Sequence, residues 1–545
     1  MFLITLAAAE PLTEYVPAED GTLLATDVYL PDGEGPWPVA LSRTPYGKGG
    51  AGDLADVFNA YGFVYVIQDV RGRFESDGID TVFQDAARDG VATLDWIDAQ
   101  EWSSGEVVTY GASALTITQY LLAAEAHPSH TTILASVGTG DLYGEVYFPQ
   151  GTFREALVTG WLGAQGSLGW LDEVMEHPYR DSWWDSQVAD HSAVTADGVH
   201  VGGWYDIFRD GTITAWQEQS LGPGDHWLIL GPWTHGTLGD GEEPPTPAAD
   251  LMLEVLAGDP SEIPRVQYFV MGTDETGNFW RTADTWPPES EPTRWYLGPE
   301  GTLSQDCPEP GTSTWQYNPS NPAPTICGNN LMIEAGPCDQ SELDLRNDTL
   351  LFQSEPLVEP VEVTGWVSGR MRVEIDQPDT ELHLRLVDVR PDGSKINVTD
   401  AGARLGWSDE GAVEAVTDAS VDLGGTSYVF HAGHRIGVYV GSANWPRFAA
   451  NRNTGVDWGQ MDEVPGNVVT VTLSHEELAE SWLELPIPGG DPATDCPVVE
   501  EEEKVRRAPS DNCGCGEGGA AAVLIGLLWV RTRREYDKPV ESDTA

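Results

Sequence analysis

Basic residues are scarce in this chain: 28 lysines and arginines stand against 88 aspartates and glutamates, for a formal net charge of −60. Such a surface repels phosphate backbones, which argues against a nucleic-acid partner, and it suits solubility in a salty medium. Cysteine is absent from the first 300 residues, so no cysteine chemistry is expected there. The six that exist (Cys307, Cys327, Cys338, Cys496, Cys513, Cys515) lack accompanying histidines at zinc-binding spacing, and no metal or cofactor is expected. Cys327 and Cys338 flank "GNNLMIEAGP", a loop that a disulfide would close in an exported protein, although sequence alone does not fix connectivity. Long hydrophobic runs are also missing near the C-terminus. The uncharged stretch from Gly518 to Val530 falls short of the ~20 residues that span a bilayer comfortably.

What is present is a core-forming composition. The chain has 545 residues, 40% of them hydrophobic, and 21 tryptophans, enough for two or three folded domains. The ends differ from the rest. Residues 1–9 hold an apolar run ending in small residues, like a secretory signal segment without its basic start. An acidic linker, 489–512, contains "VVEEEEK"; beyond it, 513–545 places a Cys-Gly cluster, a short apolar segment and three arginines. That tail resembles the C-terminal sorting tags of myxobacterial surface proteins. It implies an exported protein attached to the membrane or cell surface, the basic cluster fitting a cytoplasmic stop.

Between the ends, residues 10–292 alternate strand-like runs such as "GFVYVIQDV" with helical ones such as "DGVATLDWIDAQ", where Val91, Leu94 and Ile97 fall on one face. This predicts a parallel sheet with crossover helices, an α/β domain. Residues 141–196 interrupt the alternation with Trp-, Tyr- and Leu-rich helical stretches, either a cap over a site or a layer on the sheet. Residues 293–488 switch to short strands of period two, "MRVEI" and "LHLRLVDV", with "RPDG" as a turn, and predict an all-β sandwich.

The chemistry centres on "YGASALTIT", Tyr110 to Thr118. A serine attacks an acyl group only when a base takes its proton and donors hold the oxyanion. In α/β hydrolases that serine occupies a strained strand-to-helix turn, Gly-x-Ser-x-Gly, followed along the chain by Asp or Glu and then His. Here Gly111 and Ser113 follow a strand, Leu115 replaces the second glycine, and Asp206 and His235 end later strands in the required order. Trp204 and Tyr205, just before Asp206, read as core. Asp69, Arg71 and Arg73 of "DVRGRFESDG" read as a structural ion-pair network.

Taken together, "RTPYGK" (43–48), "QDVRGRFESDG" (68–78), "WSSGEVVTYGAS" (102–113), "GGWYDIF" (202–208) and "GPWTHG" (231–236) resemble the X-prolyl dipeptidyl-peptidase/cocaine-esterase family of serine hydrolases. The resemblance covers roughly residues 12 to 485 and implies an α/β-hydrolase domain, a helical cap and a C-terminal jelly roll. It implies Ser113 as nucleophile, His235 as base, Asp206 as its orienting acid, and an oxyanion hole from the Tyr46 hydroxyl and the Ala114 N–H. The implied substrate is a small-molecule or peptide ester or amide, cleaved through an acyl-enzyme; the oligomeric state is open. One departure stands out. The family elbow reads Gly-x-Ser-Tyr-x-Gly, and this chain has Ala114 for the tyrosine and Thr116 for the second glycine, which predicts an altered pocket wall and strained helix–strand packing. The rival expectation is a surface adhesion protein on a weakened hydrolase scaffold.

Overall fold

The computed structural model describes residues 11–490 and Cys496, apart from residues 259, 274–275, 409–410, 413–417 and 476–479. The signal-like segment, most of the acidic linker and the sorting-type tail lie outside the described residues.

The apolar β-branched runs of the first half assemble into one ten-stranded sheet. Its strands are β1 (Leu12–Pro17), β2 (Leu23–Tyr29), β3 (Trp37–Thr44), β4 (Val64–Asp69), β5 (Ser103–Ala112), β6 (His130–Ser136), β7 (Asp197–Tyr205), β8 (His226–Thr234), β9 (Val266–Val270) and β10 (Phe279–Ala283). They lie in the order 1-2-4-3-5-6-7-8-9-10. The pairs from β4 through β9 are parallel, and the outer pairs at both edges are antiparallel. Parallel neighbours need crossovers that cover the sheet's faces, which is why β4 is buried at every position. The crossovers include α1 (Gly52–Ala60), α2 (Ala86–Asp98) and α3 (Ala114–Ala123). In α2, Leu94 and Ile97 are fully buried, the face that their spacing predicts.

Between β6 and β7 the chain leaves the sheet. It forms a π-helical turn (Leu142–Tyr147), α4 (Glu155–Gln165), α5 (Trp170–Glu176) and three short 3-10 turns before returning at Asp197. Two more helices follow, α6 (Arg209–Gln219) and α7 (Ala248–Ala257). The inserted helices pack around Tyr143, Phe148, Leu157, Leu162 and Trp184, and this cluster continues to Ile207 and Phe208 after β7. One helix of the insertion, α4, lies at the cleft beside Ser113, where its Leu157, Val158, Trp161 and Leu162 line the wall.

The all-β region opens with the strand Glu291–Gly298, two residues earlier than expected, because that strand pairs with Ser481–Ile487 and not with the first sheet. Its longest strand, Val361–Ile375, pairs antiparallel with Asp418–Phe430, and Thr380–Val389 lies between Lys395–Leu405 and Arg435–Gly441. The two halves share a core. Trp204, Tyr268 and Met271 of the first sheet cluster with Leu384, Val421 and Phe430, and the Met271 N–H donates to the Ser427 carbonyl at 2.9 Å. Two disulfides lie in the all-β half, Cys327–Cys338 and Cys307–Cys496. The second corrects the extent of the linker: Cys496, expected within a free acidic tether, is bonded back to the fold. Among the described residues no helix is long and apolar enough to cross a membrane.

Candidate active site

Ser113 sits between β5 and α3 with φ 61° and ψ −123°, a left-handed backbone that side-chain-bearing residues rarely adopt. The strain is held from both sides. The Ser113 N–H donates to the Ser136 carbonyl of the neighbouring strand at 3.0 Å, and the Thr116 N–H donates to the Ser113 carbonyl at 2.8 Å. Such a turn lifts the hydroxyl above the sheet, clear of the backbone.

The expectation that Thr116 strains the packing is not met. Gly138, just past β6, lies opposite it, and a Cβ there would come within 2.3 Å of Thr116 Cγ2, so the glycine missing from the elbow has its counterpart across the interface. Thr116 is fully buried. Its hydroxyl is 2.7 Å from the Ser136 carbonyl and 2.9 Å from that of Gly111, and it accepts the Ser136 N–H at 3.1 Å. The threonine therefore ties α3 to both strands of the elbow.

Asp206 follows β7 and is fully buried. Its approach depends on Gly203, where a Cβ would lie 2.3 Å from the Trp233 carbonyl; the close approach, with a register shift between β7 and β8, brings the ends of the two strands together. One Asp206 carboxylate oxygen accepts the Phe208 N–H at 2.7 Å, and the other is 2.5 Å from His235 Nδ1. His235 Nε2 is 2.9 Å from Ser113 Oγ. The three side chains thus form one chain of hydrogen bonds, with the Phe208 ring set edge-on against the imidazole.

Tyr46 lies in the turn after β3. The turn is fixed by Lys48, whose N–H donates to Asp69 at 2.7 Å and whose ammonium pairs with Asp27 at 3.0 Å and Glu75 at 2.7 Å. Although 43% of Tyr46 is exposed, its hydroxyl reaches the cap, accepting the Trp161 indole N–H at 3.1 Å. Burial of the phenol raises its pKa above the usual tyrosine range, outweighing the opposing influence of Trp161, Ser113 and the Arg73 charge, so it stays a donor at neutral pH. Ala114 is buried as the first residue of α3, where a helix leaves its N–H without an intrahelical acceptor.

The loop arginines divide. Arg71 is structural: it reaches Asp89 at 2.6 Å and Asp20 at 2.7 Å. Arg73, read only as part of that network, does more. It donates to the Pro45 carbonyl beside Tyr46 at 3.2 Å and, from its other end, to the Gln165 carbonyl and side chain at 2.7 and 2.9 Å. It clips the end of α4 to the Tyr46 turn. Trp204 and Tyr205 are core, their polar ends bonded to the Phe269 and Asn397 carbonyls.

Over Ser113 opens a narrow cleft. Its walls include Phe83, Ile117, Leu142, Leu157, Trp161, Ile207, Phe208 and Leu331, with Ala114 at the floor; among the described residues no charged side chain lines it. Trp161, Phe208 and Leu331 were not singled out in the sequence. Trp161 belongs to a helical stretch whose apolar face was visible, but nothing local says which strand end that face covers.

A family model for the X-Pro dipeptidyl-peptidase (S15 family) matches residues 20–169 and 163–237, and one for the X-Pro dipeptidyl-peptidase C-terminal non-catalytic domain matches 261–477. The chain belongs to this family. It is 31% identical to the cocaine esterase of Rhodococcus sp. (strain MB1 Bresler), across 81% of this chain and 92% of that protein. Two solved structures share the fold at 22% identity, each covering 89% of this chain and 98% of its own. They are an aminopeptidase from a marine sediment archaeon, Thaumarchaeota archaeon (TM-score 0.75), and an α-amino acid ester hydrolase (TM-score 0.74). This family member is an enzyme, a serine hydrolase acting on esters or peptides. Nothing in the comparisons supports the adhesion reading.

Proposed function

We propose that the chain is an esterase for esters of hydrophobic acyl groups, with Ser113 as nucleophile, His235 as general base and Asp206 orienting it. The observation that carries the reading is the unbroken hydrogen-bond chain Asp206–His235–Ser113 opening beneath an uncharged, apolar cleft. His235 Nε2 takes the Ser113 proton as Oγ bonds to the acyl carbon. The carbonyl oxygen, now anionic, is held by the Tyr46 hydroxyl and the Ala114 N–H. His235 then gives the proton to the departing alkoxide, and a water repeats the sequence to release the acid and restore Ser113.

Substrate class follows from what the cleft can desolvate. A dipeptide with a free N-terminus brings an ammonium ion, and a buried charge needs a partner. No carboxylate faces this cleft among the described residues, whereas an aromatic or branched acyl group is solvated well by Trp161, Phe83 and Phe208. We further read the protein as exported and surface-attached, and its all-β half as a jelly roll. The two disulfides support export, since such bonds persist in oxidising compartments.

The test pairs labelling with a substrate panel. A fluorophosphonate should label the wild type and not Ser113→Ala, and aryl or branched acyl esters should exceed aminoacyl-prolyl amides in kcat/KM. Equal labelling of Ser113→Ala would remove the triad assignment; preference for the free-amine peptides would remove the esterase reading.

A further inference from the structure

The disulfide Cys327–Cys338 closes a short loop that belongs to the all-β half yet ends inside the active site. Two of its side chains face the catalytic groups. Asn329, only 4% exposed, donates through Nδ2 to the Asp206 carbonyl at 2.7 Å and to the Trp204 carbonyl at 3.1 Å. Leu331, two residues on, forms part of the cleft wall. The loop is braced internally. Gly328 and Gly336 exchange N–H to carbonyl bonds, both at 3.0 Å, and Asn330 Nδ2 donates to the Cys327 carbonyl at 2.6 Å. From the outside it is tied to the all-β strand Lys395–Leu405: the Asn397 N–H donates to the Cys338 carbonyl at 3.1 Å.

We propose that this disulfide-closed loop is a positioning element of the active site, with Asn329 the residue through which it fixes Asp206. The inference rests on the reading of Asp206 as the acid that orients His235. Its physical basis is where chain ends are free to move. Past Tyr205, β7 has left the sheet ladder, and the Asp206 carbonyl has no strand partner, only the long 3.3 Å bond it accepts from the Arg209 N–H. Asn329 adds a shorter hold on that carbonyl and a second on the Trp204 carbonyl two residues earlier. A shift at this point displaces the imidazole relative to Ser113 Oγ, and small misplacements of reacting groups are costly in rate. The disulfide matters because an open loop would have to order its own backbone before Asn329 could reach both carbonyls. Leu331 gives the same loop a second effect, on acyl-group fit.

The experiment uses the full chain and a fluorophosphonate titration that counts competent sites separately from the rate per site. Asn329→Ala should leave most sites titratable while lowering kcat per site about ten- to hundredfold, with KM nearly unchanged. Leu331→Ala should raise KM for a benzoyl ester and spare an acetyl ester. Replacing both Cys327 and Cys338 by serine should reproduce the two effects together, whereas replacing Cys307 and Cys496 should reproduce neither. The proposal is overturned if Asn329→Ala keeps a per-site rate within twofold of wild type. It is also overturned if the Cys327/Cys338 variant, folded and titratable, hydrolyses both esters normally, or if Asn329→Ala only reduces the number of sites. Failure of the wild type itself to label would instead remove the triad reading on which this rests.

Discussion

Replacing Trp161 by phenylalanine isolates the contribution of the cap to the oxyanion hole. The ring is nearly conserved as cleft wall, but the indole N–H that donates to the Tyr46 hydroxyl at 3.1 Å is lost. That hydrogen bond does two things: it fixes the phenol, and it occupies an oxygen lone pair, leaving the O–H free to donate to the oxyanion. The loss should be near the net value of one hydrogen bond, about 1 kcal/mol. At 1.36 kcal/mol per tenfold in rate, kcat should fall about fivefold. Tyr46→Phe, which removes the oxyanion donor itself, should cost on the order of 10² to 10³ in kcat. The decisive measurement is the double variant on an acetyl ester, whose small acyl group does not depend on the tryptophan wall. If Trp161 acts through the phenol, its replacement has no further effect once the hydroxyl is gone, and the two losses are strongly non-additive. A double variant in which the fivefold loss persists in full would refute the reasoning and reduce Trp161 to a pocket wall.

Three further expectations follow from the same geometry. Ser113→Ala should lower turnover by on the order of 10⁴-fold or more, with residual hydrolysis measured against the uncatalysed rate; a near-native rate would exclude Ser113 as nucleophile. The pH–rate profile should show no alkaline loss near the ordinary tyrosine range, since burial raises the Tyr46 pKa and keeps the hydroxyl protonated as pH rises; a fall there that vanishes in Tyr46→Phe would contradict this. Glu145 is pushed up to about 8 by burial first and then by the charges of Asp210 and Asp141, so folding retains a proton that the unfolded chain sheds near pH 4.5. Stability therefore declines through this group as pH rises from about 4.5 to about 8, by at most a few kcal/mol, and Glu145→Gln should raise Tm more at pH 8.5 than at pH 5. Equal Tm gains at both pH values would sink that account.

Much of the first sheet was legible because its signals are local. A parallel strand buried on both faces must be a continuous apolar run, and "VYVI" in β4 or "WLIL" in β8 permits little else. Ser113, Asp206 and His235 were legible for a related reason: the fold requires them at strand ends in a fixed order, and a short motif marks each position. Trp161, Arg73, Asn329 and Leu331 were not legible. Each acts across a long stretch of sequence, and none stands in a motif that announces its partner. Asn329 and Asp206 are 123 positions apart, on different domains. The tie at Cys496 was missed likewise, since its bond to Cys307 crosses 189 positions that no local pattern connects.

The elbow shows why a missing motif residue does not measure a missing function. A glycine is required there only because a helix and a strand must approach closely, and either side of the contact can supply the space. In this chain α3 carries the threonine side chain, and Gly138, following the adjacent strand, carries none. The arrangement gains a buried hydroxyl that bridges both strands of the turn, so the strained Ser113 backbone is held by side-chain as well as main-chain bonds. The substitution of Ala114 follows the same logic from the opposite direction. The oxyanion donor is a backbone N–H and survives the change, while the space left by the missing ring falls at the floor of the cleft, beside Ser113. The departures from the family pattern thus act on the shape of the cleft and leave in place the groups to which the proposed mechanism assigns proton transfer and the oxyanion.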